Sequence, residues 1–171
     1  MSTVHLNWRT PDRSAATETY YCNTPIGSLS IQMQTSLVGK IEWLNDEACE
    51  PSSHIPMQLE QVLHHYWQTA KIDHTIPLLK QGTVFQQEVW QALYCIPIGE
   101  TKTYGELALI LNTSPRALAN ACRNNPFPII IPCHRVVAKT GMGGYAGQTS
   151  GSMLTIKHAL LRHEKTLTHE L

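Results

Sequence analysis

Between Thr83 and Pro115 the sequence starts a helix three times, and this density of start signals constrains the fold more than any other feature. Thr83 with Gln86, and Thr103 with Glu106, have the spacing of capping boxes, in which two side chains three residues apart satisfy each other's backbone N–H groups. Ser114 followed by Pro115 is a cap with proline at the first helical position, where a missing N–H costs nothing. The first helix has Phe85, Val89 and Leu93 on its inner side and stops at Ile96-Pro97-Ile98-Gly99. The second buries Leu107 and Leu111. Asn112-Thr113-Ser114 leaves room for only a tight turn, so the second and third helices form a helix-turn-helix pair. Such a pair serves either packing or DNA binding.

Upstream of Gly82 the pattern is different. Leu29, Ile31 and Met33 alternate with Ser28, Ser30 and Gln32, the period of a half-buried strand. A second strand around Gly39–Leu44 follows a short turn and completes an antiparallel hairpin. Leu59, Val62, Leu63, Tyr66 and Trp67 fall on one helical face, and Thr75–Leu79 predicts one more short strand. Residues 1–19 read as a loose polar arm and Asp46–Pro56 as loop. The chain therefore divides into an α/β (α+β) lobe with a small antiparallel sheet over residues 1–80 and a mostly helical lobe over residues 81–171.

Charge follows the same division. The 13 basic and 13 acidic residues cancel overall. Their distribution is uneven: between Thr101 and Arg162 the sequence has seven basic residues and only Glu106 to oppose them. A polyanionic partner would touch this half. Five cysteines without a Cys-x-x-Cys pair suit neither a disulfide framework nor a structural zinc site, and predict a reducing, cytoplasmic setting. His54, His64, His65 and His74 are scattered and read as surface residues, so no metal is expected. No signal core or membrane span is apparent, and no membrane partner is expected.

The chemistry is concentrated in Ile131-Pro132-Cys133-His134-Arg135-Val136, delivered by the apolar run Ile129–Ile131, which reads as a short buried extended segment. A cysteine becomes nucleophilic on losing its proton, which needs a nearby base or a positive field. His134 and Arg135 are candidates for both, and predict a thiol of low pKa. Neighbours on extended chain point to opposite sides, so Cys133 reaches His134 only across a bend or through a water. The third helix offers Ala117, Ala119, Asn120 and Ala121, small side chains that let a helix approach another backbone closely. Arg116 lies at its N-terminal end, the end that reads bases in helix-turn-helix proteins.

Taken together, Phe85–Trp90, Ile96–Thr101, Thr103–Ala108, Arg123-Asn124-Asn125-Pro126, Ile131–Val136 and Leu160–Glu164 resemble the O6-alkylguanine-DNA alkyltransferase (methylated-DNA–protein-cysteine methyltransferase) family. The resemblance implies a ribonuclease-H-like N-terminal sheet and a winged-helix-like C-terminal lobe. It implies that Cys133 takes an alkyl group from O6-alkylguanine, and from O4-alkylthymine, irreversibly and once per molecule after the base is flipped out of double-stranded DNA. His134 would receive the thiol proton through water, Glu164 would orient the imidazole, and Asn125 would brace the turn. Tyr104 would donate to the leaving base, and Arg116 would fill the space of the extruded nucleotide. Ala117, Asn120, Ala121, Arg123 and Arg135 would contact DNA, and Pro132, Val136, Tyr145, Ala146 and Gly147 would form the substrate pocket. The resemblance calls for no cofactor, and implies a monomer in solution that is nucleoid-associated in a bacterium. Between Gly147 and Lys157 the chain runs about five residues longer than the family pattern. Two other readings compete: a lesion-binding protein without transfer chemistry, and a hydrolase built on Cys133, His134 and Glu164.

Overall fold

The computed structural model describes residues 5–12, 14–44, 50–72 and 75–169, and its chain forms two compact units, 1–81 and 82–171. In the first unit, β2 (Thr17–Thr24), β3 (Gly27–Gln34) and β4 (Leu37–Trp43) form an antiparallel meander. The alternation in the sequence becomes a sided sheet. Leu29 and Ile31 are completely buried, and Met33 nearly so, while Ser28, Ser30 and Gln32 between them are half-buried. Burying each of these apolar side chains contributes about 1.5–3 kcal/mol. Opposite β3, Ile31 faces Ile41 and Met33 faces Val38, with one register shift between Gln32 and Met33. The shift leaves Gly39 as the extra residue, and its carbonyl accepts a hydrogen bond from Gln81 Nε2 at 2.7 Å. Beyond β4 the sheet continues with two short parallel additions, β5 (Leu78–Leu79) and β1 (Trp8–Arg9). Helix α1 (Met57–Thr69) buries Leu59, Val62, Leu63 and Tyr66, and Trp67 is half-buried.

The predicted loose arm over residues 1–19 is corrected here. Trp8–Arg9 and the start of β2 both belong to the sheet, because pairing with β5 and β3 supplies hydrogen bonds that the polar sequence does not advertise. The predicted loop at Asp46–Pro56 lies partly outside the described residues.

The second unit realises all three start signals. The Thr83–Gln86 and Thr103–Glu106 boxes are reciprocal, and open α2 (Val84–Tyr94) and α3 (Tyr104–Ile110). Ser114 Oγ accepts from Ala117 N at 3.2 Å and caps α4 (Pro115–Arg123). In the turn between α3 and α4, Asn112 takes a left-handed conformation (φ 49°) and Thr113 N donates to Ala108 O at 2.9 Å. Leu107 is buried as its spacing predicts, whereas Leu111 and Phe85 are only half-buried. Two-residue strands β6 (Lys102–Thr103) and β7 (Val136–Val137) pair in parallel, and the long helix α5 (Ser152–His169) closes the chain.

Trp90, 1% exposed, ties α2 to α4: its indole N–H donates to the carbonyl of Ala121 at 2.9 Å. Trp90→Ala would empty this space and orphan the Ala121 carbonyl. A loss of about 3–5 kcal/mol is expected, read by chemical denaturation. A loss below about 1 kcal/mol would show that the contact is not part of the core.

Candidate active site

The chain reaches Cys133 through a strained turn and not through the extended run predicted for Ile129–Ile131. Ile129 has φ 75°, a left-handed conformation that costs a β-branched residue about 1–3 kcal/mol. Burial of Phe127, Ile129, Ile130 and Ile131, all at most 1% exposed, holds it there. Ile131 N donates to Phe127 O at 2.8 Å, and Asn125 Nδ2 donates to Ile131 O at 2.8 Å. The same Asn125 nitrogen lies 3.1 Å from Cys133 Sγ, and Asn125 Oδ1 accepts from Phe127 N at 3.0 Å. One amide thus spans the turn and touches the sulfur. Cys133–Arg135 then form a single 3-10 turn, with Pro132 O accepting from Arg135 N.

Behind the turn lies a buried ionic group. His134 Nε2 donates to Glu164 Oε1 at 2.7 Å. Arg135 donates to the same carboxylate through Nε (2.9 Å) and Nη2 (2.9 Å), and its Nη1 reaches Ile96 O at 2.6 Å. Burial alone would raise the Glu164 pKa, but the hydrogen bonds and charges of His134 and Arg135 outweigh it and hold the carboxyl at about 2. Burial lowers the pKa of His134 despite Glu164, so its imidazole is neutral at pH 7. With Nε2 committed to Glu164, Nδ1 has no hydrogen bond among the described residues and is the ring nitrogen left to take a proton. Arg135 was expected at the DNA. Instead it is 6% exposed and held on Glu164, because a buried carboxylate needs its one full counter-charge more than a surface does.

The predicted low pKa of Cys133 is also corrected. Burial pushes the thiol upward; Asn125, the charge of Lys157 and the backbone N–H groups of Cys133 and His134 offset this only in part. No cation among the described residues hydrogen-bonds the sulfur. Arg135 is committed to Glu164, and Lys157 donates to three carbonyls: Val136 O (2.6 Å), Met142 O (2.8 Å) and Gly144 O (2.9 Å). Lys157 is completely buried, and its pKa falls to about 8 through burial, resisted by Cys133 and Cys122. Sequence spacing gave no signal for it, since a lysine on a helix ordinarily reads as a solvated charge.

Cys133 borders a cavity of about 760 Å³ together with Tyr104, Arg116, Ala117, Asn120, Arg123, Tyr145, Ala146 and Gly147. Ser114, Ala119, Cys122, Gly144, Gln148 and Thr149 complete the lining, the last two from the stretch that runs longer than the family pattern. Ala121 does not line it; it is buried under Trp90. Pro132 and Val136, both expected in the substrate pocket, are buried outside the lining, and the Val136 carbonyl accepts from Lys157. Tyr104 donates to Gly144 O at 3.4 Å, and burial together with the two thiols raises its pKa, so the hydroxyl keeps its proton. Cys122, the second candidate thiol, is also buried on this wall. The loop Gly144–Gln148 is a closed hairpin: Tyr145 and Gln148 exchange two backbone hydrogen bonds of 2.9 Å. Ala146 (φ 48°) and Gly147 (φ 81°) form its left-handed tip, and a Cβ on Gly147 would meet Arg123 Nε at 2.8 Å.

The constitutive methylated-DNA–protein-cysteine methyltransferase of Bacillus subtilis is 33% identical over 161 residues, covering 85% of this chain and 95% of its own. The chain belongs to the methylated-DNA–protein-cysteine methyltransferase family. Residues 84–166 match the model of the 6-O-methylguanine DNA methyltransferase DNA-binding domain. The fold matches the crystal structure of Mycobacterium tuberculosis O6-methylguanine methyltransferase with TM-score 0.74 and 32% identity, over 88% of this chain and 94% of that one. The Mycobacterium tuberculosis protein in complex with DNA matches with TM-score 0.71 and 34% identity, over 87% and 93%. Among the described residues no cluster of potential ligands could hold a metal ion, and no helix is long and apolar enough to cross a membrane.

The ionic group makes stability depend on pH. Glu164 titrates below its ordinary value, so its contribution is present above about 4.5 and is lost as pH falls toward about 2. His134, also depressed, begins to oppose folding below 6.5. Glu164→Gln leaves Arg135 buried without its counter-charge, at a cost of about 3–5 kcal/mol near pH 7. Denaturation of both forms against pH should show the gap closing in acid; a gap unchanged at low pH would show that the Glu164 charge contributes nothing.

Proposed function

We propose that the chain repairs alkylated DNA by moving the alkyl group from O6-alkylguanine, and from O4-alkylthymine, to Cys133, once per molecule. Family membership supplies the activity: the chain is a methylated-DNA–protein-cysteine methyltransferase. The mechanism rests on one observation above all. Cys133 lies on the wall of the cavity that Arg116 and the exposed positions of α4 also line, with the buried His134–Glu164 pair directly behind it.

In this reading α3 and α4 are the helix-turn-helix, residues 82–171 are the DNA-binding and acceptor domain, and residues 1–81 are a separate α/β domain. Double-stranded DNA lies along α4, where Ala117 and Asn120 keep the surface low and Arg123 stands at the end of the helix. Arg116 fills the gap of the flipped nucleotide. The neutral His134 takes the proton of Cys133 through a water at Nδ1, and Glu164 stabilises the imidazolium that results. Cys133 Sγ then attacks the alkyl carbon, the carbon–oxygen bond breaks, and its electrons go to the base. Tyr104, still protonated, donates to the oxygen or ring nitrogen where that charge collects. Asn125 keeps the sulfur aimed. The raised thiol pKa fits this scheme, since the thiolate forms when the base is in place and the resting protein stays unreactive.

The thioether has no group that water displaces, so repair consumes the protein. Titration with a methylated duplex should give one transferred group per molecule by intact mass. Cys133→Ala should bind the duplex as well as the parent and accept none. Transfer beyond one equivalent would establish a turnover enzyme in place of an acceptor, and transfer to the Cys133→Ala protein would move the assignment to Cys122. Arg116→Ala should slow transfer from duplex DNA by about 100-fold, because stabilising an extruded base is worth a few kcal/mol, and leave transfer from free O6-benzylguanine unchanged. Equal losses on both substrates would reduce Arg116 to a structural role.

A further inference from the structure

Helix α5 has charges that the acceptor site does not use. His158, Arg162 and Lys165, spaced four and three residues apart, all line a second cavity of about 680 Å³, to which no carboxylate among the described residues contributes. Each of these residues is exposed, and their side chains have no hydrogen bond or ion pair among the described residues. By contrast, Arg135 and Lys157 are fully committed to internal partners. Thr101 and Thr166 add hydroxyls to the same wall. The cavity is therefore rich in donors for a phosphate. It is also larger than an inorganic phosphate requires and has apolar side chains, Val137 and Met142 among them, against which a sugar can rest.

Its position links it to the acceptor cavity. Thr101 lines one and Tyr104 the other, and three residues of chain span at most about 10 Å. Met142 and Gly144 likewise line one each, and both carbonyls are held by Lys157 Nζ. A DNA strand carries a phosphate about every 3.4 Å of helix axis, so this span is at most about three nucleotides.

We infer that the α5 cavity is a phosphate site that receives a backbone phosphodiester and its sugar from DNA flanking the lesion. This rests on the DNA-repair reading above. The contact positions the duplex and is blind to sequence. Arg162 and Lys165 hold the phosphate oxygens, and Thr101 donates to them, the Thr166 hydroxyl proton being given to Arg162 O at 3.0 Å.

The test uses the full chain with Arg162→Gln and Lys165→Gln combined. Duplex affinity is measured across a salt series, beside transfer from free O6-benzylguanine. Losing one or two phosphate contacts should make the slope of log K against log salt shallower by about 0.9–1.8, with affinity at low salt falling several-fold. Transfer from the free base should not change. Arg162→Lys, which keeps the charge, should retain the parent slope, and Lys165→Gln alone should give about half of the double variant's change. An unchanged slope and affinity in the double variant, with free-base transfer intact, would overturn the inference and leave the repair reading standing. A parent protein that neither binds the duplex nor accepts an alkyl group would strike the repair reading itself. Thermal protection by inorganic phosphate that the double variant loses, with its DNA slope unchanged, would make this a free-anion site and also overturn the inference.

Discussion

The second unit depends on a single carboxylate. Glu164, with no exposed surface, accepts from His134 on one side and from Arg135 on the other. A buried anion without such partners would cost several kcal/mol, so the arrangement persists only if α5, the Cys133–Arg135 turn and the Ile96 carbonyl all stay in place. The same bonds determine chemistry. They commit Nε2 of His134 and leave Nδ1 as the basic nitrogen, while burial, working against Glu164, keeps the imidazole neutral. A constraint that first looks like stability thus selects the tautomer a proton acceptor requires.

Lys157 does comparable work on the other flank of the site. Its three protons go to the carbonyls of Val136, Met142 and Gly144, joining β7 to the loop that forms one wall of the acceptor cavity. Its charge also acts on both buried thiols, favouring their ionised forms without touching either. Burying an ammonium is expensive, and three donated hydrogen bonds make it tolerable. The strained Ile129 is a similar case: an unfavourable conformation held by its own burial, three buried apolar neighbours and the Asn125 amide places Cys133 at the apex of a turn.

Local signals carried far in this chain because the helices are capped by their own residues. Thr83, Thr103 and Ser114 act on N–H groups two or three residues away, so spacing alone announces them. The alternation of β3 was legible for the same reason, since its period of two is a property of the strand itself. The weak points were long-range. Trp8–Arg9 becomes a strand through Leu78–Leu79, about seventy residues on, and nothing in a polar arm advertises a distant edge. The Ile129–Ile131 run has the composition of a strand, and only the packing around Phe127 and the Asn125 hydrogen bonds turn it into a bend.

What the sequence determined by itself is the set of parts: capped helices, a sided hairpin, and a Cys-His-Arg string in a setting that names its family. Each follows from short-range stereochemistry or from a motif read directly from the residues. What only the tertiary structure decided is which charges are available. Arg135 looked free for DNA and is locked on Glu164. Lys157, which the sequence left unremarked, is buried, and Cys133 looked acidic and is shielded. Availability depends on burial and on partners brought together from distant positions, such as Glu164 twenty-nine residues beyond Arg135, and a pKa is set by that assembled environment.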